Sequence, residues 1–187
     1  ATAVSASKAF SPTTLVQSQQ STLTITLSNS SGLNAAITSF TDNLTTMGTG
    51  FTVAASPAAS TTCGGSLGAV PGGTAITLSG GSIPAGGNCT VTVPVAVAPN
   101  ASTGTRTNTI AAGALVTDRG SNAFAAAANL AVNQAASVAK AWNPTTVLSG
   151  GISRLTITIS HANGAIAFTN MGLTDLLTSM GTGFVVA

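Results

Sequence analysis

Apolar and polar residues alternate along much of the chain, as in Leu23-Thr24-Ile25-Thr26-Leu27. Alternation with a period of two puts every second side chain on one face, which is typical of a half-buried β-strand. Connectors rich in glycine and proline, such as Val70–Gly73 and Ile83–Gly87, separate these segments. The pattern predicts strands near Ala3–Lys8, Ser21–Asn29, Ala35–Thr41, Phe51–Ala54, Ala75–Ser79, Cys89–Val97, Thr105–Ala111 and Ala123–Val132.

Many short strands at regular spacing, without a convincing helical stripe, indicate an all-β protein. The two-sheet solution for such a pattern is an Ig-like antiparallel β-sandwich. About 130 residues is ample for one such core. We therefore predict an Ig-like sandwich as the basic unit of the chain.

The chain contains an internal repeat that is not completed. Its first eight-residue match is Lys8–Leu15 with Lys140–Val147, an offset of 132. The other matches are Leu23–Thr26 with Leu155–Thr158 and, after one inserted residue, Phe40–Asp42 with Leu173–Asp175 and Met47–Phe51 with Met180–Phe184. We predict a complete Ig-like repeat over 1–134 and the first strands of a second, incomplete repeat over 135–187.

An incomplete sandwich exposes unpaired strand edges and half a core. Either further chain or a neighbouring chain must supply the remaining strands, the latter as in donor-strand or domain-swapped fibres. We expect the first of these, with the sequence being a fragment of a longer repeat array. Whether the second repeat exchanges strands between chains is left open by the residues.

Charge is scarce: five Lys or Arg residues and three acids occur in 187 residues. The acids Asp42, Asp118 and Asp175 are too few for a carboxylate-rich calcium site or a pair of glycosidase carboxylates, and His161 is the single histidine. The basic residues are scattered and tyrosine is absent, which argues against nucleic-acid binding. We expect no enzyme activity, no metal and no cofactor.

A nearly neutral, hydroxyl-rich surface has little like-charge repulsion, so association with other copies of the chain is expected. The sequence has no run of about 18 apolar residues, so we expect no membrane insertion of this segment. Cys63 and Cys89 are the two cysteines. We interpret them as a disulfide in a secreted or cell-surface protein; the alternative is a pair of buried free thiols.

The amino-acid sequence of several segments resembles that of the Ig-like repeats of bacterial surface proteins known as DUF11-like and CnaB-like (prealbumin-like) modules. The segments that carry the resemblance are Ser7–Pro12, Ser21–Asn29, Phe40–Leu44, Thr61–Gly65, Ile83–Val91 and Asn108–Ile110. The resemblance covers the first repeat and the available part of the second. It implies long, repetitive extracellular proteins of scaffolding or adhesive type without enzyme activity.

Some modules of this broad kind form an intramolecular isopeptide bond between a lysine and an asparagine, assisted by a buried acid. The resemblance assigns these roles to Lys8, Asn108 and Asp42. The chemistry needs an apolar core, because burial disfavours the charged forms of amine and carboxyl group and leaves a nucleophilic amine. Lys8 and Asp42 both recur in the second repeat, as Lys140 and Asp175, although the chain has few charges. The alternative is an exposed ion pair or solvated strand ends.

The sequence therefore predicts a structural repeat module of an extracellular fibre, stalk or sheath that assembles end to end. The alternative is an adhesin or carbohydrate-binding surface module. Such a module is expected to present exposed aromatic residues or a calcium loop, whereas aromatic residues are 4% of this chain. The structural role is the stronger prediction.

Overall fold

The structure is a computed structural model, and it describes residues 3–161 and 172–186. The chain divides into two compact units, Ala1–Ala135 and Ala136–Ala187. Each unit is described by itself. The first contains nearly all of the buried core, and the second contains the repeated early segments.

The first unit is built from fourteen described strands and a short 3-10 helix, Leu44–Met47. The strands are β1 (Val4–Ser11), β2 (Thr14–Val16), β3 (Gln20–Asn29), β4 (Ala35–Asn43), β5 (Phe51–Val53), β6 (Ser60–Thr61), β7 (Ser66–Gly68), β8 (Ala75–Ser79), β9 (Ser82–Ile83), β10 (Asn88–Val97), β11 (Gly104–Ile110), β12 (Leu115–Thr117), β13 (Gly120–Ser121) and β14 (Ala126–Asn133). Together they make an all-β sandwich, as the alternation predicted.

The described strands of the first unit pair into three sheets. One has the order β1-β3-β10-β5, with β6 also on β10; the second has the order β13-β12-β4-β8-β7, with β9 on β4; the third has the order β11-β14-β2. All of these pairings are antiparallel except that of β14 with β2. The long strand β10 lies between β3 and β5, so it joins early and late parts of the unit.

The core follows from the period-two pattern of the strands. In β3 the side chains of Leu23, Ile25 and Leu27 are fully buried, whereas Thr24 and Thr26 between them lie on the other face. Strand β10 repeats the arrangement with Val91, Val93 and Val95. Phe10 is 4% exposed and belongs to the same core. Burying each such aliphatic side chain contributes about 1.5–3 kcal/mol, which makes this face the main source of stability.

All eight strands predicted in the first repeat are present, with ends displaced by a few residues. The alternation did not predict β2, β6, β7, β9, β12 and β13, which are two or three residues long. Strands this short do not complete a repeat of the pattern. Their positions depend on pairing with longer strands, which a local pattern does not contain.

Cys63 and Cys89 form a disulfide between the β6–β7 connection and β10, with an Sγ–Sγ distance of 2.07 Å. Both residues are buried. The alternative of two free thiols is therefore wrong. The bond closes a loop between two residues 26 positions apart and fixes an irregular segment to the central strand.

In the second unit the described residues form one two-stranded sheet, β15 (Ser137–Asn143) with β16 (Arg154–Ser160), and a 3-10 helix, Leu177–Met180. Lys140 pairs with Ile157, just as Lys8 pairs with Ile25 in the first unit. A tandem second sandwich is not visible in these residues and stays a prediction. In the described part of the chain, no helix is long and apolar enough to cross a membrane.

Candidate functional site

Lys8, Asp42 and Asn108 come from three different sheets and all occupy inward positions of their strands. Lys8 lies on β1 two residues before the buried Phe10. Asp42 lies on β4 two residues after Phe40, and Asn108 lies on β11 two residues before Ile110. The alternation of each strand therefore turns a polar side chain into the core at a place that an aliphatic residue would usually fill.

The three side chains form one hydrogen-bonded cluster, which we call the crosslink site. The Lys8 Nζ donates to Asp42 Oδ2 at 2.5 Å and also to Asn108 Oδ1. The other carboxylate oxygen, Asp42 Oδ1, accepts from Asn108 Nδ2 at 3.1 Å. Each oxygen of the Asp42 carboxylate therefore contacts one nitrogen: Oδ2 contacts Lys8 Nζ, and Oδ1 contacts Asn108 Nδ2.

The Asn108 amide has two further acceptors that the sequence reasoning missed. Its Nδ2 donates to the Asn43 backbone carbonyl at 3.0 Å and to Thr46 Oγ1 at 3.1 Å. Thr46 lies in the 3-10 helix after β4, and its hydroxyl donates to the Asn43 carbonyl. A signal was present in the repeat, because Ser179 keeps a hydroxyl at the position that corresponds to Thr46.

The side chains of Lys8 and Asp42 are both 0% exposed, and Asn108 is 0% exposed as a whole residue. The alternative of a solvent-exposed pair at strand ends is wrong for these residues. Burial lowers the pKa of Lys8 below its ordinary value of 10.5, although the Asp42 charge and its hydrogen bond act in the opposite direction. Removing a charged group from water costs several kcal/mol, so burial of both Lys8 and Asp42 destabilises the core unless other interactions offset it.

The repeated pair, Lys140 and Asp175, also forms an ion pair with a hydrogen bond. Its side chains are 48% and 18% exposed. Neither touches an asparagine amide among the hydrogen bonds of the described residues. The same two residue types therefore stand in two different environments.

The crosslink site has the parts of an amide-forming reaction. It holds a buried amine against a carboxamide, and a carboxylate that reaches both the amine nitrogen and the amide nitrogen. A metal centre has no counterpart in the described residues, where no group of three or more His, Cys, Asp or Glu side chains comes together. The chemistry available to the site is transfer of protons and of an acyl group between its own three side chains.

Fold and site together define an all-β sandwich domain with a buried Lys–Asp–Asn cluster. The chain belongs to the family of the Domain of unknown function DUF7933, whose model matches residues 5–132. The family model and the crosslink site cover the same unit of the chain. The finer likeness to DUF11-like or CnaB-like modules stays a prediction.

One of the similar solved structures is a family 123 glycoside hydrolase from Clostridium perfringens, described in a study of glycolipid glycan hydrolysis. The TM-score is 0.41 and the sequence identity 11%, over 72% of this chain and 28% of that one. This chain therefore corresponds to little more than a quarter of that protein. No curated protein matches the sequence.

Proposed function

We propose that this protein is a structural module of an extracellular fibre, stalk or sheath, and that its first unit is locked by an isopeptide bond between Lys8 and Asn108. The observation that carries the proposal is the buried contact of Lys8, Asp42 and Asn108. A core gains nothing in packing from an ion pair and an amide at its centre. Covalent chemistry gives these three residues a common task.

The bond forms in steps that the contacts allow. The Lys8 ammonium gives a proton to Asp42 Oδ2, 2.5 Å away, and becomes a neutral amine. The amine attacks the Asn108 Cγ, and negative charge develops on Oδ1. Asp42 relays a proton from the incoming nitrogen to the amide nitrogen, which its Oδ1 already contacts at 3.1 Å. The bond between Cγ and Nδ2 then breaks.

The products balance with the starting groups. One amide joins Lys8 Nζ to Asn108 Cγ, and one ammonia leaves, which takes up the remaining proton as ammonium and returns Asp42 to its carboxylate form. The Asn43 carbonyl and the Thr46 hydroxyl accept hydrogen bonds from Nδ2 and hold the leaving group in place before the reaction. Asp42 acts here as the general acid and base.

The position of the bond suits a load-bearing module. Lys8 lies on the first strand and Asn108 lies 100 positions later on β11. Tension along the chain passes through the crosslink and bypasses residues 9–107. At about 3.4 Å per extended residue, the bypassed segment represents roughly 340 Å of length that force cannot release.

The remaining properties support an extracellular, assembling protein. The disulfide favours an oxidising compartment. The low charge of the chain, 4% of residues, limits repulsion between copies and makes association with other copies of the same chain easy. Electron microscopy of the native material tests this part: fibres with an axial repeat of about one sandwich length support it, and a monodisperse monomer argues against it.

Intact-mass measurement of the oxidised, folded chain tests the crosslink. We expect a deficit of one ammonia in the unaltered chain and no deficit in Lys8→Met or Asn108→Leu. The matched control is Lys140→Met, which removes the corresponding lysine of the second unit and should keep the deficit. An unaltered chain with its full unreacted mass contradicts the proposal.

Force spectroscopy tests the mechanical role separately. Stretching the first unit of the unaltered chain should release only the residues outside the Lys8–Asn108 loop, whereas Asn108→Leu should release the whole unit except residues 64–88, which the Cys63–Cys89 disulfide encloses. Equal contour-length gains for the two chains contradict a load-bearing crosslink.

A further inference from the structure

The second unit carries a counterpart for most of the first unit's crosslink site. Lys140 and Asp175 correspond to Lys8 and Asp42 in the repeat, and the two pairs make the same ion pair. Lys140 also keeps the register of Lys8, opposite an isoleucine of the next long strand. The nucleophile and the acid are therefore both in place.

The acceptors for an amide nitrogen are repeated as well. In the first unit Nδ2 of Asn108 is held by Asp42, by the Asn43 carbonyl and by the Thr46 hydroxyl. The corresponding groups of the second unit are Asp175, the Leu176 carbonyl and the Ser179 hydroxyl. Ser179 Oγ donates to the Leu176 carbonyl at 2.8 Å, which reproduces the contact of Thr46 with Asn43 at 3.1 Å.

One atom of this arrangement is buried without a partner. Asp175 Oδ1 accepts from Lys140, whereas Asp175 Oδ2 is enclosed and has no hydrogen-bond partner in the described part of the chain. In the first unit the carboxylate oxygen that does not contact lysine accepts from the Asn108 amide. A buried acceptor left without a donor is destabilising, so the site lacks one hydrogen-bond donor of the kind that the Asn108 amide supplies in the first unit.

We propose that the second unit is the half of a second crosslink site that carries the lysine and the acid, and that Lys140 forms an isopeptide bond with an asparagine on a strand of the β11 type. The partner is a segment with the pattern of the first repeat's late strands, residues 55–134, joined in the same chain. The asparagine stands where Asn108 stands in that pattern. This inference rests on the crosslink proposed for the first unit.

Apolar residues indicate which strands the partner must contain. Met47 and Phe51 are each 1% exposed in the first unit, whereas the corresponding Met180 and Phe184 are 44% and 48% exposed. Phe51 is paired with Val97 of β10, the strand that lies between β5 and β3. A β10-like strand beside β16 would cover this face, and a β11-like strand would bring the asparagine amide to Asp175. The step is the same as in the first unit: one amide forms and one ammonia leaves.

The test is a chain extended after Ala187 by a copy of residues 55–134, since Ala187 corresponds to Ala54 in the repeat. We expect a mass deficit of two ammonia molecules. Lys140→Met, or leucine in place of the asparagine in the appended copy, should each return the deficit to one, and Lys8→Met should also leave one. The counts separate the two proposals. No deficit contradicts both, and a deficit of one in the extended chain, still lost in Lys8→Met, overturns only the second.

Trp142, the single tryptophan, reports whether the appended strands fold onto the second unit, independently of the bond. It corresponds to the buried Phe10, so its emission should shift to shorter wavelength in the extended chain. A shift without a second loss of ammonia overturns the covalent site, and the absence of both overturns the choice of partner. A covalent dimer of the unextended chain that has lost additional ammonia would assign the partner to a second copy and likewise overturn it.

Discussion

The two Lys–Asp pairs of this chain show that the same residues make different sites in different surroundings. The side chains of Lys8 and Asp42 are fully buried and share an asparagine amide. Lys140 and Asp175 form the same ion pair but remain 48% and 18% exposed. The first unit contains late strands, above all β10 and β11, that have no counterpart among the described residues of the second unit. The Lys–Asp pair alone therefore does not produce the buried arrangement found in the first unit.

Equivalent apolar residues of the two units also differ in exposure. Val53 is 2% exposed and pairs with Val95 of β10, whereas the corresponding Val186 is 88% exposed. The early segments of the repeat carry half of a core and the late strands carry the other half. The same substitution made in both units therefore compares one residue type in the presence and in the absence of the late strands.

The largest difference is expected for the acids. Asp42→Ala leaves a buried lysine without its partner, which costs about 3–5 kcal/mol. It should also prevent the proposed crosslink, whose loop of 100 positions would be worth about 4.7 kcal/mol in the chain-entropy estimate. Asp175→Ala should cost about 0–1 kcal/mol, because that pair is partly solvated. Guanidinium unfolding followed by circular dichroism measures both.

If Asp42→Ala does not fold, Asp42→Asn keeps the shape of the side chain and can be compared with Asp175→Asn. Equal losses of stability from the two acids would show that the burial of the first pair has no energetic consequence. That result would contradict the distinction between the buried pair of the first unit and the partly exposed pair of the second.

A smaller but clear difference is expected for a matched pair of leucines. Leu23 is fully buried in β3, and Leu155 is its repeat counterpart, half-buried in β16. Leu23→Ala should lower the free energy of unfolding by about 2–5 kcal/mol. Leu155→Ala should lower it by about 1 kcal/mol or less, as is usual outside a core. A larger loss of unfolding free energy for Leu155→Ala than for Leu23→Ala would contradict the location of the core in the first unit.

The disulfide should stabilise the first unit alone. Opening a loop of 26 positions by Cys63→Ala with Cys89→Ala should lower stability by about 3 kcal/mol. The second unit contains no cysteine, so Trp142 fluorescence provides an internal control and should not change. Thermal unfolding by circular dichroism, beside the emission spectrum, checks this. A changed Trp142 emission with an unchanged melting temperature contradicts the assignment.

The smallest effect is a dependence on pH in a chain that cannot crosslink. In Asn108→Leu the buried Lys8 keeps a pKa lowered by desolvation, whereas the unfolded chain keeps the ordinary value of 10.5. Between these two values the unfolded state binds more protons than the folded state, so stability should rise with pH. The double variant Asn108→Leu with Lys8→Met should lose this rise. Urea unfolding across alkaline pH tests it, and a fall in stability with pH over that window would contradict the burial of Lys8.

The fold could be predicted from the sequence because its long strands carry complete period-two patterns. Strand β3 shows this well, since Leu23, Ile25 and Leu27 identify the buried face without any knowledge of the partner strands. The pairing of β10 with both β3 and β5 could not be predicted, because pairing is a long-range property that the local pattern does not encode.

The candidate site was predicted in part. Lys8, Asp42 and Asn108 could be singled out by resemblance and by the retention of two charges in a chain with few. The roles of Thr46 and of the Asn43 carbonyl could not, because they depend on the turn geometry of a 3-10 helix. The different exposure of the repeated pair was also out of reach, since it depends on which strands complete each unit.

Tryptic peptide mapping by tandem mass spectrometry tests the central claim most directly, because trypsin cleaves after an unmodified lysine but not after one whose amine is acylated. In the unextended chain we predict cleavage after Lys140 and none after Lys8. The segment 1–106 should be joined to the segment 107–119, which contains Asn108, with the loss of one ammonia. Cleavage after Lys8 and a linear 107–119 peptide of unaltered mass would contradict the account.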